Sequence, residues 1–277
     1  MSGTYQSDGA TLAYRDTGTG LPVVFLHPTP LDHRYWQPLV AHLRGVRAIV
    51  PDLRGHGGSE LGDDLPVGAF ERVPDAPVLT MAQLAADILR LLDHLALPGA
   101  VFAGCSIGGY VLLELWRTAP DRIRGLAFIC SKPQPDAEAN LTKRAATIAQ
   151  ARAGGSAALF DGMAQTLIGA TARERRPEIV AELQAHMTLS PEALVAVQAG
   201  LATRPDAVPA VATINVPVLA VAGGEDPAIT PAEMEVFRAA PGGCDFHLLT
   251  DAGHFAAYEQ PEKVAEIFAA WLGKLRD

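Results

Sequence analysis

Short apolar runs alternate with turns and helical patterns along the first part of the chain. Residues 4–27 predict three strands separated by two turn signals, Asp8-Gly9 and Gly18-Thr19-Gly20. The third of these strands contains the continuous apolar run 23–26, and a similar run lies at 47–52. Runs of this kind are typical of strands that are buried on both faces of a sheet.

A polar stretch at 60–79 predicts a surface loop, because it holds three prolines. Thr80-Met81-Ala82-Gln83 then has the form of a capping box, and the apolar residues after it repeat at helical spacing, which predicts a helix. A strand, a helix and a strand follow, at 100–104, 107–118 and 125–130. This alternation predicts right-handed βαβ units and an α/β fold with a mostly parallel sheet.

The alternation breaks after the strand at 125–130. Between 132 and 213 the sequence shows only helical patterns, interrupted by glycines and prolines. Because this segment is too long for an ordinary connection within a sheet, we predict that 132–213 form a helical cap over the carboxyl edge of the sheet. Residues 1–131 and 214–277 then form the core domain. The alternation resumes there with two strands and a closing helix, at 217–222, 246–249 and 261–274.

Ser106 lies in the string Gly104-Cys105-Ser106-Ile107-Gly108, a G-x-S-x-G between a predicted buried strand and a predicted helix. A serine on a tight strand-to-helix turn has its hydroxyl pushed out of the sheet edge, where a base can reach it. The flanking glycines are expected because a side chain there would collide with the neighbouring strand or helix. We therefore predict that Ser106 is a nucleophile, with a structural serine in a Gly-rich turn as the alternative.

An acid and a base follow two later strands. Asp226 comes after the strand at 217–222, and His254 comes after the strand at 246–249. The carboxyl ends of parallel strands meet at one edge of an open sheet, where active sites lie. A serine hydroxyl is a weak acid, so His254 is expected to take its proton, and Asp226 to orient and stabilise the imidazole. Glu225 is the local competitor for the acid.

Composition excludes several classes of function. The 277 residues are 49% hydrophobic, as in an enzyme with a large core, and the net charge of −9 without a basic cluster argues against nucleic acid and anionic membranes as partners. No apolar run reaches the length of a membrane span, and the first residues lack a secretory pattern. The three cysteines fit neither a zinc site nor a disulfide framework. We expect a cytoplasmic enzyme without metal or cofactor.

These motifs together resemble the α/β-hydrolase fold superfamily, in its serine-nucleophile branch with a helical cap. The resemblance covers essentially the whole chain, and four matches carry it: His27-Pro28-Thr29-Pro30, the string at 52–59, the Ser106 motif and the Asp226/His254 pair. It implies a mostly parallel eight-stranded sheet flanked by helices, and a Ser-His-Asp triad in that fold's chain order. The string at 52–59 has a structural alternative, a Gly-rich turn whose Arg54 pairs locally.

The resemblance also implies an oxyanion hole that is built from two backbone N–H groups. Ile107, directly after the nucleophile, and Thr29, in the loop after an earlier strand, are the expected donors. This chain departs from the family's usual His-Gly at Pro28, which has no N–H and stiffens the loop. His27 is expected to be structural, because His254 serves Ser106. The apolar candidates for the substrate pocket are Tyr35, Trp36, Met163, Leu167, Met187 and Phe255.

Serine at the nucleophile position argues against haloalkane dehalogenases and epoxide hydrolases of this fold, which use aspartate there. We predict hydrolysis of a small carboxylic ester or lactone through an acyl-enzyme, since the chain resembles esterases and 3-oxoadipate enol-lactonases. A C–C bond hydrolase, a thioesterase or a cofactor-free haloperoxidase on the same triad stays open. The intact Ser-Asp-His set argues against a non-catalytic ligand receptor.

The substrate itself is weakly constrained by sequence. The acidic, cofactor-free profile favours a small neutral or apolar molecule. A C–C hydrolase, by contrast, usually has a polar group, often arginine, that reaches the acid of its substrate. The candidates for that group, with solvated helix faces as the alternative for those in the cap, are Arg72, Lys143, Arg144, Arg152, Arg173, Arg175 and Arg176.

Overall fold

Strands and helices alternate around one central sheet in the computed structural model, which describes residues 2–275. The strands are β1 (Ser2–Ser7), β2 (Ala10–Gly18), β3 (Leu21–Leu26), β4 (Val46–Pro51), β5 (Ala100–Cys105), β6 (Ile123–Ile129), β7 (Val218–Gly223) and β8 (Cys244–Leu249). The α-helices are α1 (Gln37–His42), α2 (Met81–His94), α3 (Ile107–Thr118), α4 (Glu138–Arg152), α5 (Ser156–Leu167), α6 (Ala170–Arg175), α7 (Ile179–Gln184), α8 (Pro191–Ala202), α9 (Val208–Val211), α10 (Pro231–Met234), α11 (Ala256–Glu259) and α12 (Pro261–Gly273).

The eight strands form one sheet in the order β1-β2-β4-β3-β5-β6-β7-β8. Only the pairs β1–β2 and β2–β4 are antiparallel, and every pair from β4–β3 onward is parallel. The prediction of a mostly parallel eight-stranded sheet is confirmed. Because β3 and β5 to β8 run in one direction, the loops that follow them lie at the same edge.

The strand β3 shows why the central strands are continuously apolar. Val24 and Leu26 belong to one hydrophobic cluster, and Val23 and Phe25 belong to another. All four side chains are fully buried. Successive side chains of a strand point to opposite faces, so a strand that is covered on both sides needs apolar residues at every position. Helices α2 and α3 contribute to the first cluster, and α1 and α12 contribute to the second.

The helices α4 to α9 occupy the chain between β6 and β7, where the sequence predicts only helices. They pack into both core clusters. Leu194 and Val197 of α8 join the cluster that contains α2 and α3, whereas Ile179 and Leu183 of α7 join the other. The division into a core domain and a cap at 132–213 stays a prediction. Among residues 2–275, none of the helices has the length and apolar character that a membrane-spanning segment needs.

A buried ion pair ties the string at 52–59 to α2. Arg54 Nη2 donates to Asp87 Oδ1 at 2.7 Å, and Arg54 Nε donates to Asp87 Oδ2 at 2.8 Å. Arg54 Nη2 also donates to the carbonyl oxygen of Ser7 at 2.7 Å, which connects the pair to β1. The string therefore has a structural role, and its arginine pairs with a distant helix rather than locally.

We expect Asp87→Ala to lower the free energy of unfolding by about 3–5 kcal/mol, because it leaves the buried Arg54 guanidinium without its carboxylate. The two side chains are only 2% and 3% exposed. Asp93→Ala on the same helix is the matched control: the Asp93 side chain is 66% exposed in its pair with Arg122, so its loss should cost at most about 1 kcal/mol. Urea unfolding measures both variants, and equal losses would contradict the assignment.

Candidate active site

Ser106 occupies a strained turn between β5 and α3. Its φ of 51° and ψ of −117° lie outside the regions that residues other than glycine ordinarily adopt. Four hydrogen bonds hold it there. Ser106 N donates to the carbonyl of Ile129 at 3.2 Å, and its own carbonyl accepts from Gly109 N at 2.9 Å, from Tyr110 N at 3.3 Å and from Ser131 Oγ at 2.9 Å. These bonds impose the conformation that turns the serine side chain toward the edge of the sheet.

Two glycines make this turn possible, as the sequence predicts. A Cβ at Gly104 would lie 2.4 Å from the carbonyl carbon of Gly108, inside the first turn of α3. A Cβ at Gly108 would lie 2.3 Å from the carbonyl oxygen of Leu26 at the end of β3. Real Cβ atoms do not approach other atoms so closely, so helix α3 can begin against the sheet only where these positions lack side chains.

Asp226 and His254 meet after the ends of β7 and β8. The His254 Nδ1 atom lies 2.7 Å from Asp226 Oδ2, and both side chains are buried. The other carboxylate oxygen, Oδ1, accepts from Ala228 N at 2.8 Å and from Ile229 N at 3.1 Å. An ionised carboxylate only accepts hydrogen bonds, so Nδ1 of a neutral His254 carries the proton and Nε2 is left as a base.

Glu259 holds the loop on both sides of His254. Its Oε2 atom accepts from Gly253 N at 2.7 Å and from Gly169 N at 3.0 Å, and its Oε1 atom accepts from Phe255 N at 3.0 Å. Burial raises the pKa of this carboxyl, and the three N–H donors act against that effect. The sequence analysis missed Glu259, although a lone acid directly after the apolar stretch 255–258 is the signal that could have found it.

Glu225 is directed away from the histidine. Its Oε2 atom accepts from Thr171 N at 2.9 Å and its Oε1 atom from Thr171 Oγ1 at 2.5 Å. The backbone N–H of His254 donates to the carbonyl of Leu167 at 2.8 Å, at the end of α5. The Glu225 carboxylate thus joins the helical segment to the sheet edge. Of Glu225 and Asp226, only Asp226 is hydrogen-bonded to the His254 imidazole.

Of the two residues predicted to form an oxyanion hole, Ile107 directly follows Ser106, and Thr29 lies in the loop between β3 and α1. Thr29 follows β3 and lines the same cavity as Ser106 and His254. Its hydroxyl is 3.0 Å from His56 Nε2. Ile107 is the first residue of α3, and the N–H groups of a first helical turn have no acceptor within the helix. The N–H of Ile107 is thus positioned by the start of a regular element.

Two buried histidines support the loop that carries Thr29. His27 Nε2 accepts from Leu53 N at 2.9 Å, so its Nδ1 donates to the carbonyl of Pro28 at 3.1 Å. His56 Nδ1 in turn donates to the carbonyl of Arg54 at 3.0 Å. Burial lowers the pKa of His27, and burial together with His27 lowers the pKa of His56 to about 3. Both rings are neutral supports for the loop, as expected for His27.

A cavity of about 380 Å³ opens between the carboxyl edge of the sheet and the helical segment. Ser106 and His254 line it from the sheet, and residues of α4, α5 and α8 line it from the other side. Met163 and Leu167, two of the predicted pocket residues, are on α5 and line this cavity. A volume of this size suits a small ligand.

The prediction of the other four pocket residues is corrected by the structure, since none of them lines this cavity. Tyr35, Trp36 and Phe255 are fully buried, and Met187 is 5% exposed; all four belong to the cluster that contains α1 and α12. The Tyr35 and Trp36 rings pack at 4.8 Å, and the Tyr35 hydroxyl donates to Cys105 Sγ at 3.2 Å, beneath the turn. Large aromatic side chains gain more from core burial than from lining a polar cavity.

A second, wider hollow of about 890 Å³ lies beside this cavity and shares Tyr110 and Lys132 with it. Residues of α3 and of the segment 204–215 line it. Ser106, Asp226 and His254 are not among its lining residues. The candidate chemistry therefore lies in the smaller cavity.

Asp32, His33 and Asp52 form a compact group whose ligand atoms lie within 4.8 Å of one another. Their atoms are already engaged: Asp32 Oδ2 accepts from Arg34 Nη2 at 2.6 Å, and Asp52 Oδ1 accepts from His33 Nδ1 at 2.8 Å. Asp52 Oδ2 also accepts from Gly58 N at 2.9 Å. We assign no metal to this group, because protein donors occupy the lone pairs that an ion needs.

Comparison with known proteins agrees with this architecture. A sequence profile described as the alpha/beta hydrolase family matches residues 23–267. The 3-oxoadipate enol-lactonase 1 of Acinetobacter baylyi is 26% identical over 271 residues, which is 97% of this chain and 95% of that protein. A thermophilic esterase from Thermogutta terrifontis has a TM-score of 0.89 at 30% identity, with all of both chains covered. The enol-lactonase from Burkholderia xenovorans LB400 has a TM-score of 0.85 at 27% identity, with 98% and 100% covered.

We expect acid to destabilise the protein through His56. Its pKa is about 3 in the fold, against an ordinary value of 6.5, so between these values the unfolded chain binds a proton that the folded chain does not. The free energy of unfolding should then fall by about 1.4 kcal/mol for each pH unit below 6.5 on account of this group. Urea unfolding from pH 8 to pH 4 should show this extra slope relative to His56→Gln. Above pH 7, the plots of unfolding free energy against pH for wild type and His56→Gln should run parallel. Plots that stay parallel below pH 6 as well would contradict the role assigned to His56.

Proposed function

The chain belongs to the alpha/beta hydrolase family, and on that premise we propose that it cleaves a carboxylic ester or lactone through an acyl-enzyme on Ser106. The family, together with esterase and enol-lactonase relatives, makes the protein a hydrolase that acts on esters. A small-molecule substrate agrees with those relatives and with the size of the cavity. The triad and the acyl-enzyme are our proposal.

One observation carries this proposal: His254, which lies 2.7 Å from the buried Asp226, lines the same small cavity as the strained Ser106. A base held by a carboxylate next to a serine on a strand-to-helix turn is the arrangement that activates a hydroxyl for nucleophilic attack. Glu225, the other acid beside the histidine, is bonded to Thr171 instead.

In the proposed acylation step, Ser106 Oγ attacks the substrate carbonyl while His254 Nε2 takes the hydroxyl proton. The developing oxyanion accepts hydrogen bonds from the N–H groups of Ile107 and Thr29. His254 then returns the proton to the leaving alcohol, or to the alcohol end of an opened lactone. Asp226 keeps the proton of the neutral ring on Nδ1 and stabilises the imidazolium that forms.

In the proposed deacylation step, a water molecule attacks the acyl group and His254 Nε2 takes its proton. The same two N–H groups stabilise the second oxyanion, and Ser106 leaves with the proton from the imidazolium.

We further propose that residues 132–213 act as a cap, because α4, α5 and α8 cover the cavity opposite Ser106. The expected cytoplasmic location stays a prediction.

Hydrolysis of a C–C bond or thioester, and haloperoxidase chemistry, could use the same three side chains. Relatives named as non-heme haloperoxidases match over 37% to 91% of this chain. The esterase and the two enol-lactonases described above match over 97% to 100% of it. Ester and lactone turnover is therefore the activity to test first.

We expect wild-type protein to release p-nitrophenol from p-nitrophenyl acetate or butyrate, either as a stoichiometric burst or as steady turnover. Ser106→Ala should lower the rate by at least about 10³-fold, because the nucleophile is lost. Stopped-flow absorbance measures the release, and mass spectrometry of acid-quenched wild type should find the acyl group on the peptide that contains Ser106. Undiminished turnover in a folded Ser106→Ala variant would falsify the assignment.

We expect Asp226→Asn to lower kcat by about 10⁴-fold, because the amide donates to Nδ1 and places the histidine proton on Nε2. Glu225→Gln is the matched control, since it neutralises the adjacent carboxylate without touching the imidazole, and it should stay within about tenfold of wild type. Steady-state hydrolysis of p-nitrophenyl butyrate measures both variants, with circular dichroism to confirm folding. A larger loss in Glu225→Gln than in Asp226→Asn would reverse the assignment of the acid.

A further inference from the structure

We propose that Tyr110 is a specificity-determining residue. Its ring forms the wall between the active-site cavity and the wider hollow beside it, and this wall limits the length of the apolar chain that the substrate can carry. This inference rests on the proposed function, which places the ester carbonyl at Ser106. The substrates that the wall excludes are esters with a long alkyl chain.

The cavity and the hollow are neighbours that meet at very few side chains. The cavity has a volume of about 380 Å³ and the hollow one of about 890 Å³. Among residues 2–275, only Tyr110 and Lys132 line both of them. Tyr110 lies one helical turn after Ser106, and its N–H donates to the Ser106 carbonyl at 3.3 Å. The boundary between the two spaces is therefore close to the proposed point of attack.

The Tyr110 ring is held in place by Arg204. The guanidinium carbon of Arg204 lies 4.3 Å from the centre of the ring, a distance at which the cation is attracted to the aromatic face. Arg204 is itself buried, with Nη1 at 2.9 Å from Asp136 Oδ1. It also donates to the carbonyls of Leu201 at 2.9 Å and Gln134 at 3.1 Å. The ring thus packs on a group that cannot move without breaking buried bonds, as expected of a fixed wall.

Lys132 forms the rest of the boundary. Its Nζ atom donates to Glu233 Oε1 at 2.5 Å, and Gln134 Nε2 donates to the carbonyl of Glu233 at 3.1 Å. An alkyl chain that displaced water from this ion pair would remove hydration from two charges, which is costly. The Tyr110 ring is therefore the part of the boundary whose removal opens a path for an apolar chain.

The hollow offers such a chain an apolar surface. Its lining includes Leu113, Trp116 and the prolines at 120, 133, 205 and 209. Arg117 and Glu114, which also line it, neutralise each other in an ion pair. Asp121 and Asp206 are exposed, so their carboxylates keep their contact with water. A chain that passed Tyr110 would gain about fourfold in affinity for each methylene that it buried there.

The test uses two pairs of esters that differ only in the length of one chain. Methyl butyrate and methyl octanoate vary the acyl chain, and butyl acetate and octyl acetate vary the alcohol chain. A pH-stat measures kcat/KM for each ester. In at least one pair, Tyr110→Ala should raise the ratio of kcat/KM for the long ester to that for the short ester by at least about tenfold, because the additional methylenes reach the hollow.

Two control variants separate the loss of the wall from other effects. Tyr110→Phe keeps the ring, and Leu113→Ala shortens a buried side chain of α3 that lines only the hollow. Both should leave each ratio within about twofold of wild type. Circular dichroism checks folding, and Tyr110→Leu, which fills more of the space, should give a smaller rise in the same direction. Unchanged ratios for both pairs in folded Tyr110→Ala or Tyr110→Leu overturn the proposal.

A second measurement separates this proposal from the proposed function. Calorimetry of the same esters with Ser106→Ala requires no turnover, and adding Tyr110→Ala should tighten the binding of a long ester at least about tenfold relative to its short partner. Such tightening, without hydrolysis of any ester by wild type, supports the wall and overturns the proposed function. Ser106-dependent hydrolysis with ratios that Tyr110→Ala leaves unchanged overturns the wall and leaves the proposed function standing.

Discussion

The structure depends on a close backbone contact between the start of α3 and the ends of β3 and β5. Gly104 and Gly108 permit that contact, and a Cβ at either would lie within 2.4 Å of a backbone atom. The contact forces Ser106 into a left-handed conformation between a buried strand and a buried helix. Burial of the strands on both faces holds the strain in place, so Ser106 is positioned by the packing of the whole sheet.

The histidine side of the site depends on a different kind of contact. Glu259 gathers the N–H groups of Gly169, Gly253 and Phe255, which places a carboxylate between the helical segment and the loop of His254. Removal of such an acceptor leaves buried donors without partners, which is costly. The helical segment and the sheet edge therefore share one hydrogen-bonded network, and the segment helps to hold His254 as well as to line the cavity.

The electrostatics of the cavity differ from those of the chain as a whole. The net charge of −9 describes the average surface, whereas α4 brings Lys143 and Arg144 to the wall opposite Ser106. Charges within a few ångströms of a ligand act on it more strongly than distant surface charges, because water and salt screen the distant ones. The composition of the whole chain is thus a poor guide to the substrate of one cavity.

The sequence by itself determined the fold class, most of the alternation of strands and helices, and the candidate triad. Apolar periodicity, turn residues and the glycines around Ser106 are local properties, and parallel topology brings the residues after the strands together. Only the tertiary structure decided which side chains line the cavity. Helical spacing says which residues share a face, but not what that face meets: Tyr35 and Trp36 pack into the core, whereas Lys143 borders the cavity. Glu259 shows the same limit, because its partners are backbone N–H groups that no side-chain pattern records.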